Sequence, residues 1–234
     1  MLIHSLGLDA TLWNEVAAHV PESITVCAYD CRGHGLSGAG ELPYSMQGFA
    51  EDLRRLLDHL GWPDAELAGC SMGGCIAMEF AARHPQRVAV LTLIDTTAWY
   101  GPESAQLWAQ RAQMALAAGM SAMGARQVEQ WFSRDFRENS PAIVQDLLES
   151  FGRTAPACFA ATCAMLGTTD LRSGLARLAH ATLVIVGGAD ALTPPSASQA
   201  LADAIPGAQL TVLEGARHLT PAERAQEVAL LLVR

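Results

Sequence analysis

The stretch Gly69-Cys70-Ser71-Met72-Gly73 decides the fold, because its surroundings call for a strand before it and a helix after it. Residues 65–68 are short and mostly apolar, as in a buried strand, and residues 74–84 follow a helical pattern that stops at Pro85. A G-x-S-x-G turn in this setting strains the serine backbone and points its Oγ outward, while the glycines let strand and helix pack closely. The alternative is an ordinary glycine-rich turn between strand and helix, which requires no base or acid elsewhere in the chain. The stretch predicts Ser71 as a nucleophile at a strand end.

The rest of the chain alternates between strand and helix patterns. Strands are predicted at 2–3, 24–29, 66–68, 88–94, 183–186 and 210–213, and helices at 12–19, 46–60, 74–83, 195–204 and 221–232. Such alternation predicts an α/β fold, with a mostly parallel sheet covered by helices on both faces. Folds of this kind carry their chemistry at the carboxyl ends of the strands.

The alternation stops between residues 100 and 171, which are helical in character and contain no good strand. We therefore expect a core formed by residues 1–99 and 172–234, with residues 100–171 inserted as a helical lid over the site. This stretch is rich in large apolar side chains such as Trp108, Trp131 and Phe151. The alternative for most of them is that they only pack the lid against the core.

A serine nucleophile needs a base, and the base needs an acid that holds its tautomer. In this topology the chain order is serine, acid, histidine. Asp190 follows the predicted strand at 183–186, and His218 follows the one at 210–213, so both are expected beside Ser71. Asp95 also ends a strand and is the competing acid. Asp190 is favoured because its Gly-Gly-Ala-Asp-x-x-Thr-Pro loop has the composition of a turn.

An oxyanion intermediate needs two backbone N–H donors. The residue after the nucleophile, Met72, supplies one candidate, and Leu6 in the loop after the first strand supplies the other. His34 follows the second predicted strand and could act as a second base, but it lies in a tight turn between two glycines. A structural role for His34 and Arg32 is expected instead.

Composition limits the classes of partner. The chain has 234 residues with a net charge of −9 and no cluster of Lys and Arg, which argues against nucleic acid and anionic membranes as partners. Its six cysteines form no C-x-x-C pair and its histidines lack H-x-x-x-H spacing, so neither a disulfide framework nor a zinc site is predicted. Neither a secretory leader nor an 18-residue apolar run is recognisable. We expect a cytoplasmic protein without metal or organic cofactor, of undetermined oligomeric state.

Taken together, these motifs resemble the α/β-hydrolase superfamily over nearly the whole chain. The motifs are His-Ser-Leu-Gly from residue 4, Arg-Gly-His-Gly-x-Ser from residue 32, the turn around Ser71, the Asp190 loop and the late His218. Within that superfamily, several stretches are similar to 3-oxoadipate enol-lactonases: 95–99, Trp131-Phe132 with Phe136, 169–172 and 215–221. The resemblance implies a small-molecule substrate, an enol-lactone that carries a carboxylate, and a cationic contact to that carboxylate from the lid.

The chain departs from that family in its specificity region. An arginine commonly precedes the Trp-Phe pair in those enzymes, whereas this chain has Gln130. Arg126 and Arg134 lie one helical turn away on either side, so the candidate substrate-binding residues are Gln130, Trp131, Arg126 and Arg134. The alternative for both arginines is a solvated position on the lid. Cys158-Phe159 stands where relatives tend to carry Gly-Tyr. Relatives also carry an antiparallel hairpin ahead of the His-Ser-Leu-Gly loop. This chain begins inside the strand that leads into that loop.

Three functional hypotheses follow. The leading one is a serine hydrolase that opens 3-oxoadipate enol-lactone, the second is a broad esterase for short acyl esters, and the third is a receptor that keeps the fold without turnover. Dehalogenase and epoxide hydrolase chemistry need aspartate where this chain has Ser71.

Overall fold

A parallel sheet forms the centre of the molecule. The computed structural model describes residues 1–233, and its strands are β1 (Leu2–Ile3), β2 (Ala28–Tyr29), β3 (Ala65–Cys70), β4 (Val88–Ile94), β5 (Ala181–Gly187) and β6 (Gln209–Leu213). They lie in the order β2-β1-β3-β4-β5-β6, and every neighbouring pair is parallel. The predicted α/β fold is confirmed, with a six-stranded sheet that is parallel throughout these residues.

Helices connect the strands and cover the sheet. In chain order they are α1 (Asn14–Ala18), α2 (Met46–Leu60), α3 (Met72–Arg83), α4 (Ser104–Ala118), α5 (Met120–Trp131), α6 (Arg134–Asn139), α7 (Pro141–Arg153), α8 (Pro156–Gly167), α9 (Arg172–Leu175), α10 (Pro195–Ala204), α11 (Thr220–Glu223) and α12 (Ala225–Leu232). Short 3-10 helices occupy Ala10–Trp13 and Pro85–Arg87. None of the helices within residues 1–233 is both long and apolar enough to cross a bilayer.

The β3–α3 unit is held together by close backbone contact. The first strand lies directly beside this unit, with Ile3 paired to Gly69. A Cβ on Gly73 would lie 2.2 Å from the carbonyl oxygen of Ile3, and a Cβ on Gly69 would lie 2.2 Å from the carbonyl oxygen of Gly73. Only glycine fits at these two positions, which is why the G-x-S-x-G spacing forms this turn.

Three predicted elements differ from the structure. The helix predicted at 12–19 is a 3-10 helix at Ala10–Trp13 followed by α1 at Asn14–Ala18. The strand predicted at 24–29 forms a ladder only over Ala28–Tyr29, because its neighbour β1 offers just two residues for pairing. The helix predicted at 221–232 is two helices, α11 and α12, which are separated at Arg224 where the backbone leaves the helical region (φ −132°, ψ 42°).

Six helices, α4 to α9, lie between β4 and β5, and the first five of them, α4 to α8, form the inserted segment. They pack in pairs, α4 against α8 and α5 against α7. The two ends of this segment meet at an antiparallel bridge between Trp99 and Asp170, where the Leu171 N–H also donates to the carbonyl of Ala98 at 2.9 Å. The Arg172 guanidinium stacks on the Trp99 ring, 3.7 Å from its centroid. The helical segment therefore leaves and rejoins the sheet at one place.

Candidate active site

Ser71 occupies a strained turn between β3 and α3. Its backbone has φ 54° and ψ −114°, which non-glycine residues rarely adopt and which costs about 1–3 kcal/mol. Two hydrogen bonds hold it there: its N–H donates to the carbonyl of Ile94 at 2.8 Å, and the Thr96 hydroxyl donates to its own carbonyl at 2.6 Å. Contacts with β4 and with the loop that follows it therefore keep the Ser71 backbone in this strained conformation.

The structure brings Ser71, His218 and Asp190 into one row of hydrogen bonds. The Ser71 Oγ lies 3.0 Å from His218 Nε2, and His218 Nδ1 lies 2.8 Å from Asp190 Oδ2. All three residues are buried, with 8%, 4% and 3% of their surfaces exposed. With the ring proton on Nδ1, Nε2 is free to accept the serine proton.

The Asp190 carboxylate is fully satisfied by its own loop. Its Oδ1 accepts from the N–H groups of Leu192 (2.8 Å) and Thr193 (3.1 Å), and its Oδ2 accepts from the Thr193 hydroxyl (2.8 Å) as well as from His218. Burial raises the pKa of the Asp190 carboxyl, but the charge of His218 and these hydrogen bonds outweigh burial and hold the pKa below its ordinary value. The carboxylate thus stays ionised beside the histidine.

Asp95, the competing acid, makes different contacts. Its Oδ1 accepts from the Gly187 N–H at 3.0 Å, and its Oδ2 accepts from the N–H (2.9 Å) and hydroxyl (2.7 Å) of Thr220. It joins the end of β4 to β5 and α11 and makes no hydrogen bond to His218. Burial raises its pKa to about 7; the charge of His218 lowers the pKa, and the charge of Asp190 raises it.

The loop after β1 is fixed by a buried histidine. His4 Nδ1 lies 2.8 Å from the carbonyl of Ser5, and its Nε2 accepts from the Cys31 N–H at 2.9 Å, so the neutral ring with its proton on Nδ1 satisfies both partners. Burial lowers the pKa of His4, which favours this neutral form. Leu6 follows in the same loop and lines the cavity next to Ser71, and Met72 begins α3 on the other side.

His34 and Arg32 lie away from the Ser71 hydroxyl. Arg32 forms a bidentate ion pair with Asp52, at 2.5 and 2.6 Å. His34 Nδ1 lies 3.0 Å from the Arg32 carbonyl, and burial, together with the charge of neighbouring His4, lowers its pKa to about 3. A ring that stays neutral and faces its own loop fits the structural role expected for it.

A small cavity of about 70 Å³ opens above the serine hydroxyl. It is walled by the two loops and by the inserted helices, through Ser5, Leu6, Ser71, Tyr100, Trp108, Arg111, Trp131, Leu192, Thr193 and His218. Five of these ten residues are apolar or aromatic (Leu6, Tyr100, Trp108, Trp131 and Leu192), and only 8% of the Ser71 surface is exposed. The one basic side chain other than the histidine is Arg111.

Of the four predicted substrate-binding residues, only Trp131 lines this cavity. Gln130 and Arg126 are exposed and line a larger outer groove of about 530 Å³ between α4 and α5. Arg134 is exposed and pairs with Glu138 at 2.7 Å. These three residues therefore lie outside the cavity, Gln130 and Arg126 on α5 and Arg134 on α6, and the arginine that lines it is Arg111 on α4. The spacing of Trp108 and Arg111 places both on one face of a helix, but spacing alone does not indicate what that face contacts.

Metal chemistry receives no support from the side chains described. Within residues 1–233, no group of three or more His, Cys, Asp or Glu side chains is placed to hold an ion. The chemistry available at this site is that of a buried serine hydroxyl, an imidazole and an ionised carboxylate.

Comparison with known proteins agrees with this geometry. Residues 1–225 match the Hydrolase_4 family, which is described as serine aminopeptidase, S33. The chain belongs to the α/β-hydrolases. It is 33% identical to 3-oxoadipate enol-lactonase 2 from Acinetobacter baylyi over 223 residues, which are 95% of this chain and 82% of that protein.

Two solved structures superpose closely on this α/β-hydrolase. The enol-lactonase from Burkholderia xenovorans has a TM-score of 0.94 at 33% identity, over 99% of this chain and 88% of that one. A thermophilic esterase from Thermogutta terrifontis, solved with malate bound, has a TM-score of 0.93 at 29% identity, over 99% and 86%. The chain is a carboxylic-ester hydrolase of the enol-lactonase and esterase type.

Proposed function

We propose that this hydrolase opens 3-oxoadipate enol-lactone through an acyl-enzyme on Ser71, with His218 as the base and Asp190 as the acid. The observation that carries the proposal is the continuous row from the Ser71 Oγ through both ring nitrogens of His218 to the Asp190 carboxylate, at 3.0 and 2.8 Å. Each distance is that of a hydrogen bond, and the order serine, histidine, carboxylate is the one that the role of each group requires.

Acylation begins when His218 Nε2 takes the Ser71 proton and the Ser71 Oγ attacks the lactone carbonyl carbon. The carbonyl oxygen becomes an oxyanion, and the backbone N–H groups of Leu6 and Met72 are the proposed donors to it. Neither N–H donates to another backbone group of residues 1–233, which leaves both available for a ligand. The intermediate collapses by breaking the ring C–O bond, and His218 returns its proton to the enol oxygen.

Deacylation uses the same groups in the second half of the reaction. The enol tautomerises to a ketone while the acyl group remains on Ser71. His218 then takes a proton from water, and the resulting hydroxide attacks the ester carbonyl. Collapse of this intermediate frees the carboxylate product and returns the proton to the Ser71 Oγ. No fragment is lost, since both halves of the opened lactone stay in one molecule.

The choice of substrate is supported by the two enol-lactonase comparisons and by the small cavity, half of whose lining residues are apolar or aromatic. We further place the enzyme in the cytoplasm, which is supported by six cysteines that are all free in the structure. Inserted helices α4 to α8 are proposed as the lid, because they supply Trp108 and Trp131 to the cavity wall.

The test compares initial rates on the enol-lactone and on p-nitrophenyl acetate. The proposal predicts a kcat/KM for the lactone that exceeds that for the simple ester by at least about 100-fold, and loss of both activities in Ser71→Ala. The exposed serine of α5 provides the matched control, since Ser121→Ala should change neither rate. A clear preference for p-nitrophenyl acetate would exclude the lactonase assignment.

That outcome would favour the second candidate, a broad esterase for short acyl esters. The esterase from Thermogutta terrifontis supports it, because its fold matches this chain almost as well as the enol-lactonase does. The two candidate functions use the same catalytic residues, Ser71, His218 and Asp190. They differ only in which substrates the inserted helices allow into the cavity.

A further inference from the structure

Arg111 is the one arginine that shares the cavity with Ser71. It lies on α4, partly buried, with its guanidinium carbon 5.3 Å from the centroid of the Trp108 ring. Its Nη2 donates to the side-chain oxygen of Gln127 on α5. Its Nε is buried and has no hydrogen-bond partner among residues 1–233. One buried donor of this positioned guanidinium therefore has no acceptor among the described residues.

The charge of Arg111 is also uncompensated. No carboxylate within residues 1–233 lies within 4 Å of its guanidinium nitrogens. The neighbouring titratable groups are the Cys163 thiol, whose pKa burial raises to about 12, and the Tyr100 phenol, whose pKa burial raises well above its ordinary value. Both are neutral near pH 7. Burial lowers the pKa of Arg111 itself, but an arginine keeps its charge in proteins.

A largely desolvated cation without a counter-charge costs stability, and both of its partners, the Trp108 ring and the Gln127 amide, are neutral. The cost is understandable if an anion completes the site when it binds. A carboxylate would supply both the missing acceptor for Nε and the missing negative charge, and arginine binds carboxylates in a fixed planar geometry.

We propose that Arg111 binds the carboxylate of an acidic ester or lactone whose carbonyl lies against Ser71. This inference rests on the proposed function and names the residue that selects an anionic substrate at that site. Trp108 and Gln127 hold the guanidinium plane in place. The outer groove shares Arg111 and Leu192 with the cavity, so the two spaces adjoin at this residue.

The test uses two esters that differ in charge, p-nitrophenyl acetate and mono-p-nitrophenyl succinate. In Arg111→Met, which keeps length and removes charge, kcat/KM for the succinate ester should fall about 10- to 100-fold, the range for losing a hydrogen bond to a charged group. The rate on the acetate ester should stay within about threefold, and Tm should be unchanged or higher, because a buried unpaired charge has been removed. In Arg111→Lys, kcat/KM for the succinate ester should lie between the values of the wild type and of Arg111→Met.

Arg126→Gln is the matched comparison, because Arg126 lines only the outer groove. Its ratio of the two rates should equal that of the wild type. Equal losses on both esters in Arg111→Met, together with a lower Tm, would show a structural arginine and overturn the inference. A loss of the acidic preference in Arg126→Gln but not in Arg111→Met would overturn it as well.

Binding separates this inference from the proposed function. Titration calorimetry of adipate into Ser71→Ala needs no turnover, and we expect binding that Arg111→Met weakens about 10- to 100-fold in the same background. If neither ester is hydrolysed but adipate binding depends on Arg111, the proposed function fails and this inference stands. If hydrolysis depends on Ser71 but adipate binding does not depend on Arg111, the proposed function stands and this inference fails.

Discussion

Replacement of Asp190 by asparagine should disable the base while leaving the fold intact. The amide oxygen must face the N–H groups of Leu192 and Thr193, which both donate to Oδ1. The amide NH₂ then takes the Oδ2 position and donates to His218 Nδ1. That ring must carry its proton on Nε2, where it donates to the Ser71 Oγ instead of accepting from it.

The expected loss is a factor of about 10⁴ in kcat, or about 5 kcal/mol of transition-state stabilisation. Steady-state hydrolysis of p-nitrophenyl acetate measures it, with circular dichroism to verify the fold. Asp146→Asn, at an exposed position on α7, should retain wild-type rates. If Asp190→Asn keeps activity within tenfold while Asp95→Asn takes the large loss, the reasoning on the acid is wrong.

Two further predictions concern stability. Gly73→Ala should lower the free energy of unfolding by at least about 3 kcal/mol in urea titrations, because its Cβ would lie 2.2 Å from the Ile3 carbonyl oxygen; a loss below about 1 kcal/mol would contradict that close contact. Asp95, with its pKa raised to about 7 from an ordinary 3.8, keeps in the folded state a proton that the unfolded chain releases, so stability falls as pH rises from about 4 to about 7. The wild type should lose stability relative to Asp95→Asn over this window by at most about 1.4 kcal/mol per pH unit, and a pH-independent difference would exclude the raised pKa.

The parts of the site that follow from local sequence could be predicted well. Ser71, Asp190 and His218 each come directly after a strand, and the carboxyl ends of parallel strands meet at one edge of the sheet. Their order along the chain therefore indicated that they would meet. Turn composition favours Asp190 over Asp95 as the acid, and in the structure Asp190 hydrogen-bonds His218 whereas Asp95 accepts from Gly187 and Thr220.

Features that depend on packing between distant elements could not be predicted in the same way. The apolar run at 24–29 has strand character, but the length of its ladder depends on β1, which pairs over two residues. Trp108 and Arg111 share a face of α4, yet nothing in the local sequence says that this face meets Ser71. That depends on how α4 packs against α8 and α5. Proximity in sequence to Trp131 favoured Arg126 and Arg134 instead.

The most direct test of the central claim is mass spectrometry of the protein after reaction with a fluorophosphonate probe. We expect one adduct, mapped to the peptide that contains Ser71 and absent from Ser71→Ala, and much slower labelling in Asp190→Asn. An unlabelled wild-type protein would favour a receptor without turnover. Labelling that persists in Ser71→Ala would show that another residue is the nucleophile, and either result would contradict the account.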